Sequence, residues 1–307
     1  MKKIVNSVHL EGYLYGHTLE QRTAGENAKN PGAEFIRGNL DILTDGELNV
    51  VPVSFSYVPP KFKSGAANAT YATLLNIIEN GDGKTYLDCG TEAMKIKVDS
   101  ALGVNDFYNN DEELVTYQMT DGGFVHAVPT FTDDRNSFNV DVLLTGAVFK
   151  EADEERGTED HLVLSGATFN FANRLLPVSF VVKDSSGMKY FESMDISSKN
   201  PVFIKLWGEI VSSTIETQHV EESAFGEPAV KTTVRRLREW VVVGAAKEPY
   251  DFGDEAVLTE KEVQAAVADR ETYLAGVKKN HDDYVASKAS GASSGGTKKP
   301  ADSGFEF

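Results

Sequence analysis

The sequence predicts a mainly β protein that consists of two tandem five-stranded barrels, a C-terminal helix and a flexible tail. Three observations favour this fold class: apolar residues that alternate with polar ones, an internal repeat, and a Ser- and Gly-rich end that follows a long helical pattern. The length of 307 residues is enough for two domains of ordinary size, and 41% hydrophobic residues is typical of a globular chain. The expected parts are a first barrel (1–132), a second barrel (133–250), a helical segment (251–289) and a disordered tail (290–307).

The repeat appears when residues 8–22 are set beside residues 142–156. Four identities then align without a gap: Val8 with Val142, Leu10 with Leu144, Gly12 with Gly146, and Arg22 with Arg156. Further along, Gly38 aligns with Gly166, and the tetrapeptide PVSF recurs at 52–55 and 177–180. The length differences fall in the connections, where insertions cost little. This ordered series of matches indicates a duplication.

Each repeat unit has the period-2 pattern of half-buried strands. In the first unit Val8, Leu10, Gly12 and Leu14 alternate with polar residues, as do the segments that begin at Ile36 and Val53. A glycine inside a strand marks a bulge or a tight bend, as in a small sheet that curls closed. The sequence thus predicts three meandering strands in each unit.

A helix and two closing strands follow in the first unit. The helix is predicted over 68–80 with an Asn or Thr cap and a stop at Gly81, and the strands over 93–104 and 113–128. The second unit closes with strands at 202–213 and 234–246, separated by a polar loop (216–231). This order is that of an OB-fold, a five-stranded barrel that binds oligonucleotides or oligosaccharides on one face.

Composition excludes several function classes. The single Cys89 allows no internal disulfide and no Cys-based zinc site, and the six histidines show no metal-binding spacing. No Walker loop, GxSxG motif or Cys–His pairing is present, so we expect no cofactor, no metal and no enzyme activity. No stretch of eighteen apolar residues could span a membrane, and the N-terminus alternates like a strand, so we expect a cytoplasmic protein without a signal peptide.

The formal charge of −17 argues against a polybasic nucleic-acid binder. Residues 1–134 carry 10 basic and 19 acidic side chains, a net charge of −9, whereas VRRLREW (234–240) is a local basic cluster. Any nucleic-acid surface must therefore be a local patch on an acidic body.

The first unit resembles the opening strands of bacterial and phage single-stranded DNA-binding proteins. The resemblance is carried by NSVHLEGYLYGHTLEQR (6–22), AEFIRGNLDI (33–42) and NVVPVSFSYV (49–58). That family usually has one OB-fold in each chain and assembles four, whereas this chain carries two, which is similar to a phage-encoded protein with a duplicated barrel. The resemblance implies that the partner is single-stranded DNA and that the protein acts in DNA replication, recombination or repair. If the protein is phage-encoded, its location is the host cytoplasm. The resemblance also allows the protein to form homo-oligomers.

The same family has a flexible tail that ends in acids and a Phe and docks on partner enzymes. Here ADSGFEF ends the chain, and the expected partner-binding residues are Asp302, Phe305, Glu306 and Phe307. A basic pocket with an apolar floor would hold the ring, and the carboxylates would pair with Arg or Lys. An ordinary tail end is the alternative.

Binding of single strands requires aromatic faces for the bases and cations near the phosphates. If Ile36, Leu40 and Ile42 face the core, then Phe35, Arg37 and Asn39 point outward. The candidate nucleic-acid-binding residues of the first unit are Phe35, Arg37, Tyr57, Lys61, Phe62, Lys63, Phe107 and Tyr108, and those of the second are Lys205, Trp207, Arg235, Arg236, Arg238 and Trp240. For Trp240 the core is an equal interpretation, and the arginines could form a solvated strand edge. Phe55, Phe169 and Phe180 are predicted core residues.

Residues 258–289 form one long helical pattern with Thr259 as a cap and an apolar stripe that includes Val263, Ala266, Val267, Tyr273 and Tyr284. The helix would pack on the second barrel, or would serve dimerisation or cover DNA. The function expected for the whole chain is sequence-independent binding of single-stranded DNA. The alternatives are a non-enzymatic interaction or virion protein, which the charge of the first unit favours, and an oligosaccharide binder.

Overall fold

The computed structural model describes residues 4–26, 30–45, 49–109, 111–153, 157–221, 225, 229–251 and 259–291. Side chains are not described for 213–221, for 229–236 apart from Thr232, and for 289–291. In this part of the chain eleven strands form one continuous sheet: β1 Asn6–His17, β2 Glu20–Thr23, β3 Glu34–Leu43, β4 Val50–Val58, β5 Lys95–Tyr108, β6 Leu114–Ala127, β7 Asn136–Lys150, β8 His161–Phe169, β9 Leu175–Val182, β10 Val202–Glu221 and β11 Ala229–Ala245. The helices are α1 Ala69–Asn80, α2 Tyr86–Cys89, α3 Ser185–Glu192 and α4 Glu260–Gly291, with a 3-10 turn at Gly90–Glu92.

The first five-stranded barrel (barrel 1) closes through β1, β3, β4, β6 and β5. Strand β3 pairs antiparallel with both β1 and β4, β4 pairs parallel with β6, and β5 pairs antiparallel with β6 and β1. Helix α1 lies in the connection between β4 and β5, with Asn68 as its N-cap and Gly81 at its C-cap, as predicted. The short strand β2 pairs with β3 and widens the sheet at one side.

The second five-stranded barrel (barrel 2) repeats this connectivity. Strand β8 pairs antiparallel with β7 and β9, β9 pairs parallel with β11, and β10 pairs antiparallel with β11 and β7. Helix α3, which the sequence analysis did not predict, occupies the place of α1. The prediction of a mainly β protein with two tandem OB-type barrels and a C-terminal helix is confirmed.

Strands β1 and β7 join the barrels by antiparallel pairing, with Val8 opposite Phe138. The side chain of Asn6 donates to Leu102 O and accepts from Leu102 N, and the side chain of Asn136 makes the same two bonds with Ile210, so these asparagines are structural counterparts, 130 positions apart. The bulges before Gly16 and Gly146 show the same shift, so the sequence alignment of Val8 with Val142 was four residues out of register. Val8 therefore lies opposite its own counterpart, and the two barrels are related by an approximate two-fold axis at this pair.

The strand glycines allow close approach of neighbouring strands. Gly38 has a φ of 124°, and a Cβ there would overlap the carbonyl oxygen of Thr18. A Cβ at Gly166 would overlap the carbonyl oxygen of Leu143 in the same way. A Cβ at Gly146 would meet Ser165 Cβ only at an ordinary 3.9 Å, and this glycine follows a bulge in the register of β7 with β8. Glycine thus supplies the bends that close each barrel.

The predicted core residues Phe55, Phe169 and Phe180 are all buried. In barrel 2 the ring of Phe138 packs against both Phe180 and Trp240, with centroid distances of 5.5 Å and 5.4 Å. Aromatic pairs at this separation stabilise a core beyond the area that they bury.

The connection predicted as a polar loop at 216–231 is largely strand, so this prediction was wrong. Residues 213–221 of β10 pair with residues 229–237 of β11 and form a two-stranded ribbon. The polar residues here suggested a loop, but backbone hydrogen bonds of an antiparallel pair form whatever the polarity of the side chains. The two long strands of barrel 2 are therefore longer than β5 and β6 of barrel 1.

Helix α4 contacts both barrels and not the second barrel alone. Ala266 and Val263 pack in a cluster with Phe169 and Phe203 of barrel 2. Arg270 donates from Nη2 to Asp106 Oδ1 at 2.6 Å and from Nη1 to Oδ2 at 2.9 Å, which attaches the helix to barrel 1. The predicted stripe is only partly buried, because Val267, Tyr273 and Tyr284 are exposed.

The N-terminus of α4 carries the predicted cap. Glu262 N donates to Thr259 Oγ1, and Thr259 N donates to Glu262 Oε2 at 2.7 Å. No described helix combines the length and apolar character that crossing a lipid bilayer requires. The boundaries at 132, 250 and 289 stay a prediction, and the predicted partner-binding residues of the tail lie outside the described residues.

Candidate nucleic-acid interface

The outer face of barrel 1 across β3 and β4 (the β3–β4 face) carries the first predicted site residues. Ile36, Leu40 and Ile42 are fully buried. Successive side chains of a strand point to opposite faces, so Phe35, Arg37 and Asn39 lie outside. Asn39 accepts a hydrogen bond from the Ser54 hydroxyl at 2.7 Å, which ties the two strands together on this face.

A bulge in β4 brings Tyr57 onto the same face. Ile36 lies opposite Val58 and Gly38 opposite Phe55, so β4 has one residue more than β3 in this interval. The extra residue leaves both Ser56 and Tyr57 exposed between buried Phe55 and Val58, and Tyr57 is 47% exposed. The rings of Phe35 and Tyr57 stack with centroids 4.9 Å apart and an interplanar angle of 30°. The bulge therefore creates an aromatic surface that strict alternation would not give.

Two arginines flank this aromatic pair and share one carboxylate. Arg22 Nη2 donates to Glu20 Oε2 at 2.6 Å, and Arg37 Nε donates to Glu20 Oε1 at 2.8 Å. Strand β2 sets this arrangement, because Arg22 lies opposite Phe35 and Glu20 opposite Arg37. The hydrogen bonds from Arg22 and then Arg37 lower the pKa of Glu20, so it stays ionised and the group has a net charge of +1.

Lys61, Phe62 and Lys63 lie in the turn that follows β4. Phe62 N donates to Ala66 O, and Gly65 N donates to Phe62 O, which closes the turn. All three side chains are exposed. The chain thus continues from Tyr57 into a short segment of two cations around one ring.

The predicted residues Phe107 and Tyr108 are the last two residues of β5, next to the connection to β6. The Tyr108 ring lies 5.5 Å from the His281 ring, and Lys278 Nζ lies 5.4 Å from its centroid. Both partners belong to α4, so Tyr108 is in contact with that helix. This contact was not predicted, because it joins residues about 170 positions apart in the chain.

The predicted role of Trp240 in stacking bases is wrong. Its side chain is 4% exposed and belongs to the core of barrel 2. Trp207 is 38% exposed, but it lies on β10, and its ring covers Gly244 of β11. Lys205 is half-buried on the same strand, opposite Asp141 of β7. These residues are on strands other than β8 and β9, the counterparts of β3 and β4.

The side chains of Arg235 and Arg236 lie outside the described residues. Their backbones are opposite Ile215 and Thr214 in the ribbon. Arg238 Nη1 donates to the hydroxyl of Tyr117, and its guanidinium carbon lies 5.9 Å from the centroid of that ring. Arg238 therefore connects β11 of barrel 2 to β6 of barrel 1.

Sequence reasoning missed Arg22, Phe124, Phe171 and Tyr117. Arg22 was identified in the repeat but not as a site residue, since only the pairing of β2 with β3 brings it to Phe35. Phe124 is 59% exposed and Phe171 is 94% exposed, and each follows or lies within a turn-like segment, GG and NFAN. Phe124, Phe171 and Tyr273 of α4 line a cavity of about 1170 Å³ between barrel 1, the β8–β9 connection and α4.

The chemistry available on the β3–β4 face is stacking and ion pairing. Two rings, two arginines and nearby polar side chains are the groups that bind unpaired bases and phosphates. Among the residues that the structure describes, no group of three or more His, Cys, Asp or Glu side chains could hold a metal ion.

Comparison with solved structures gives weak matches. A deletion mutant of the single-stranded DNA binding protein from Thermus aquaticus has a TM-score of 0.47 and 12% identity, over 81% of this chain and 96% of that one. A replication protein A heterotrimer bound to single-stranded DNA has a TM-score of 0.19 and 8% identity, over 76% of this chain and 49% of that one. No curated protein matches the sequence.

The YorF family model matches residues 4–280. This match includes both barrels and most of α4, well over half of the 307 residues. The chain belongs to the YorF family.

Proposed function

We propose that the protein binds single-stranded DNA without regard to base sequence, through the β3–β4 face of barrel 1. The observation that carries the proposal is the stacked pair of Phe35 and Tyr57 between Arg22 and Arg37. Every base has a π-face, so stacking on such rings is worth about 1–3 kcal/mol for each base whatever its identity. The arginines supply cations for the adjoining phosphates.

The charge distribution favours unpaired over duplex DNA. The chain carries −17 overall, so a duplex with its dense phosphate charge would be repelled by the acidic body beyond the small patch. A single strand is flexible and exposes its bases, so it can follow a narrow face with two rings and a net charge of +1. Binding of this kind is non-enzymatic.

We also propose a biological setting and a second contact, for which the resemblance to phage and bacterial single-stranded DNA-binding proteins is the support. The setting is DNA replication, recombination or repair in the cytoplasm, in a phage-infected cell if the gene is viral. The C-terminal tip, with Asp302, Phe305, Glu306 and Phe307, would recruit partner proteins. Deleting Phe305–Phe307 should leave DNA affinity intact or raise it while it abolishes the partner contact.

The test is fluorescence anisotropy of a labelled oligo(dT) and of a labelled duplex at low and increasing salt. We expect the single strand to bind more tightly and its affinity to fall as salt rises. Tryptophan emission is a poor reporter, because Trp240 is buried and Trp207 lies on another strand. If oligo(dT) causes no anisotropy change at low salt, the proposal fails, and an interaction or virion protein built on the same barrels takes its place.

A further inference from the structure

We infer that each chain has one strand-binding face, on barrel 1, and that the equivalent face of barrel 2 takes no part in binding. The equivalent face is the outer surface of β8 and β9 (the β8–β9 face). This inference rests on the proposed function and assigns the number and position of its sites. A duplicated fold would otherwise suggest two equivalent sites in each chain.

The two faces differ in the side chains that they present. On the β8–β9 face Val163 lies opposite Val181 and Ser165 opposite Ser179. The two valines are half-buried and the two serines are exposed. These four positions hold no ring and no charge, so they offer neither a surface for a base nor a cation for a phosphate.

The difference lies at the ends of β4 and β9. Strand β4 runs on past Phe55 through a bulge that leaves Ser56 and Tyr57 exposed, whereas β9 ends at Val182. The register of β8 with β9 runs without a break up to that end. The β8–β9 pairing therefore has no bulged segment that presents a ring in the way that β4 presents Tyr57.

Barrel 1 also reaches onto the β8–β9 face. The backbone N–H of Ser179 donates to Oε1 of Gln118 on β6 at 2.8 Å. On the β3–β4 face, the Ser54 hydroxyl donates to Asn39 Oδ1, a contact that stays within barrel 1. A strand laid along β9 would therefore meet the side chain of Gln118.

The experiment counts binding sites with an oligonucleotide too short to reach both barrels. An OB-fold covers about 4–16 nucleotides, so (dT)8 suits one face. The full chain is titrated with labelled (dT)8, and native mass spectrometry gives the number of oligonucleotides for each chain. We expect saturation at one, whereas two of comparable affinity on each chain would overturn the inference.

Two matched double variants locate the site. Phe35→Ala with Tyr57→Ala should weaken (dT)8 binding at least tenfold, while Val163→Ala with Val181→Ala should leave it within twofold. Equal losses from both variants would overturn the inference while the proposed function stands, whereas a loss from the second variant alone would overturn both. If the wild-type chain binds no oligo(dT) of any length, it is the proposed function that fails. Circular dichroism and thermal unfolding of each variant show that it is folded.

Discussion

Replacing Phe35 by alanine removes one ring of the stacked pair and leaves the charges of the β3–β4 face unchanged. Loss of one stacking ring costs about 1–3 kcal/mol of binding free energy. Since about 1.4 kcal/mol is a factor of ten in the dissociation constant, Kd should rise roughly 5- to 150-fold. Phe35 is half-buried and its neighbour Tyr57 is exposed, so we expect the fold to survive. The measurement is anisotropy of labelled oligo(dT) at fixed ionic strength.

The salt dependence separates stacking from ion pairing. For single strands the slope of log affinity against log salt changes by about 0.7 for each phosphate contact. Phe35→Ala should keep the wild-type slope, whereas Arg37→Ala should reduce it by about 0.7. Phe149→Ala, which removes an exposed ring from barrel 2, is the control and should change neither quantity. A Phe35→Ala protein that binds within twofold of the wild type would refute the assignment of the face.

Three further predictions concern the charge of the site and the frame that holds it. Glu20→Gln removes the carboxylate that both arginines share. If a DNA phosphate lies about 6 Å from that carboxylate, oligo(dT) should bind the variant roughly threefold more tightly at low salt. Anisotropy titrations should show that this gain disappears at high salt. Gly38→Ala places a Cβ against the carbonyl oxygen of Thr18 at a positive φ, so the free energy of unfolding measured in urea should fall by roughly 2–4 kcal/mol. The control is Gly16→Ala, which has open space around it and should cost less than about 1 kcal/mol. Arg270→Ala leaves a buried carboxylate unpaired and should cost about 3 kcal/mol; unchanged stability would show that α4 is not held by this ion pair.

The strand order and the core could be predicted from the sequence because both depend on local patterns. Period-2 alternation identified Ile36, Leu40 and Ile42 as buried, and the cap at Asn68 and the stop at Gly81 located α1. The repeat predicted two barrels of one connectivity. These features follow from residues that are close together in the chain.

The parts of the site that escaped prediction depend on long-range pairing. Arg22 reaches the site only through the register of β2 with β3, and Tyr57, itself a predicted site residue, lies on the outer face only because of a bulge that was not predicted. Tyr108 faces α4, some 170 residues later in the chain. For Trp240 the local pattern allowed both core and surface, and the packing of Phe138 decided for the core. Pattern rules do not specify which distant element covers a side chain.

The pairing of β1 with β7 around Val8 and Phe138 has a consequence for how the two halves of the molecule can differ. Two separate chains with one barrel each could form the same two-fold interface. Such chains would have to meet at their concentration in the cell, and both would carry the same sequence. A short connection from Ala127 to Asn136 replaces that encounter with an effective concentration on the order of millimolar. Each half is then free to specialise: the first presents Tyr57 at a bulge of β4, and the second extends β10 and β11 into a long ribbon.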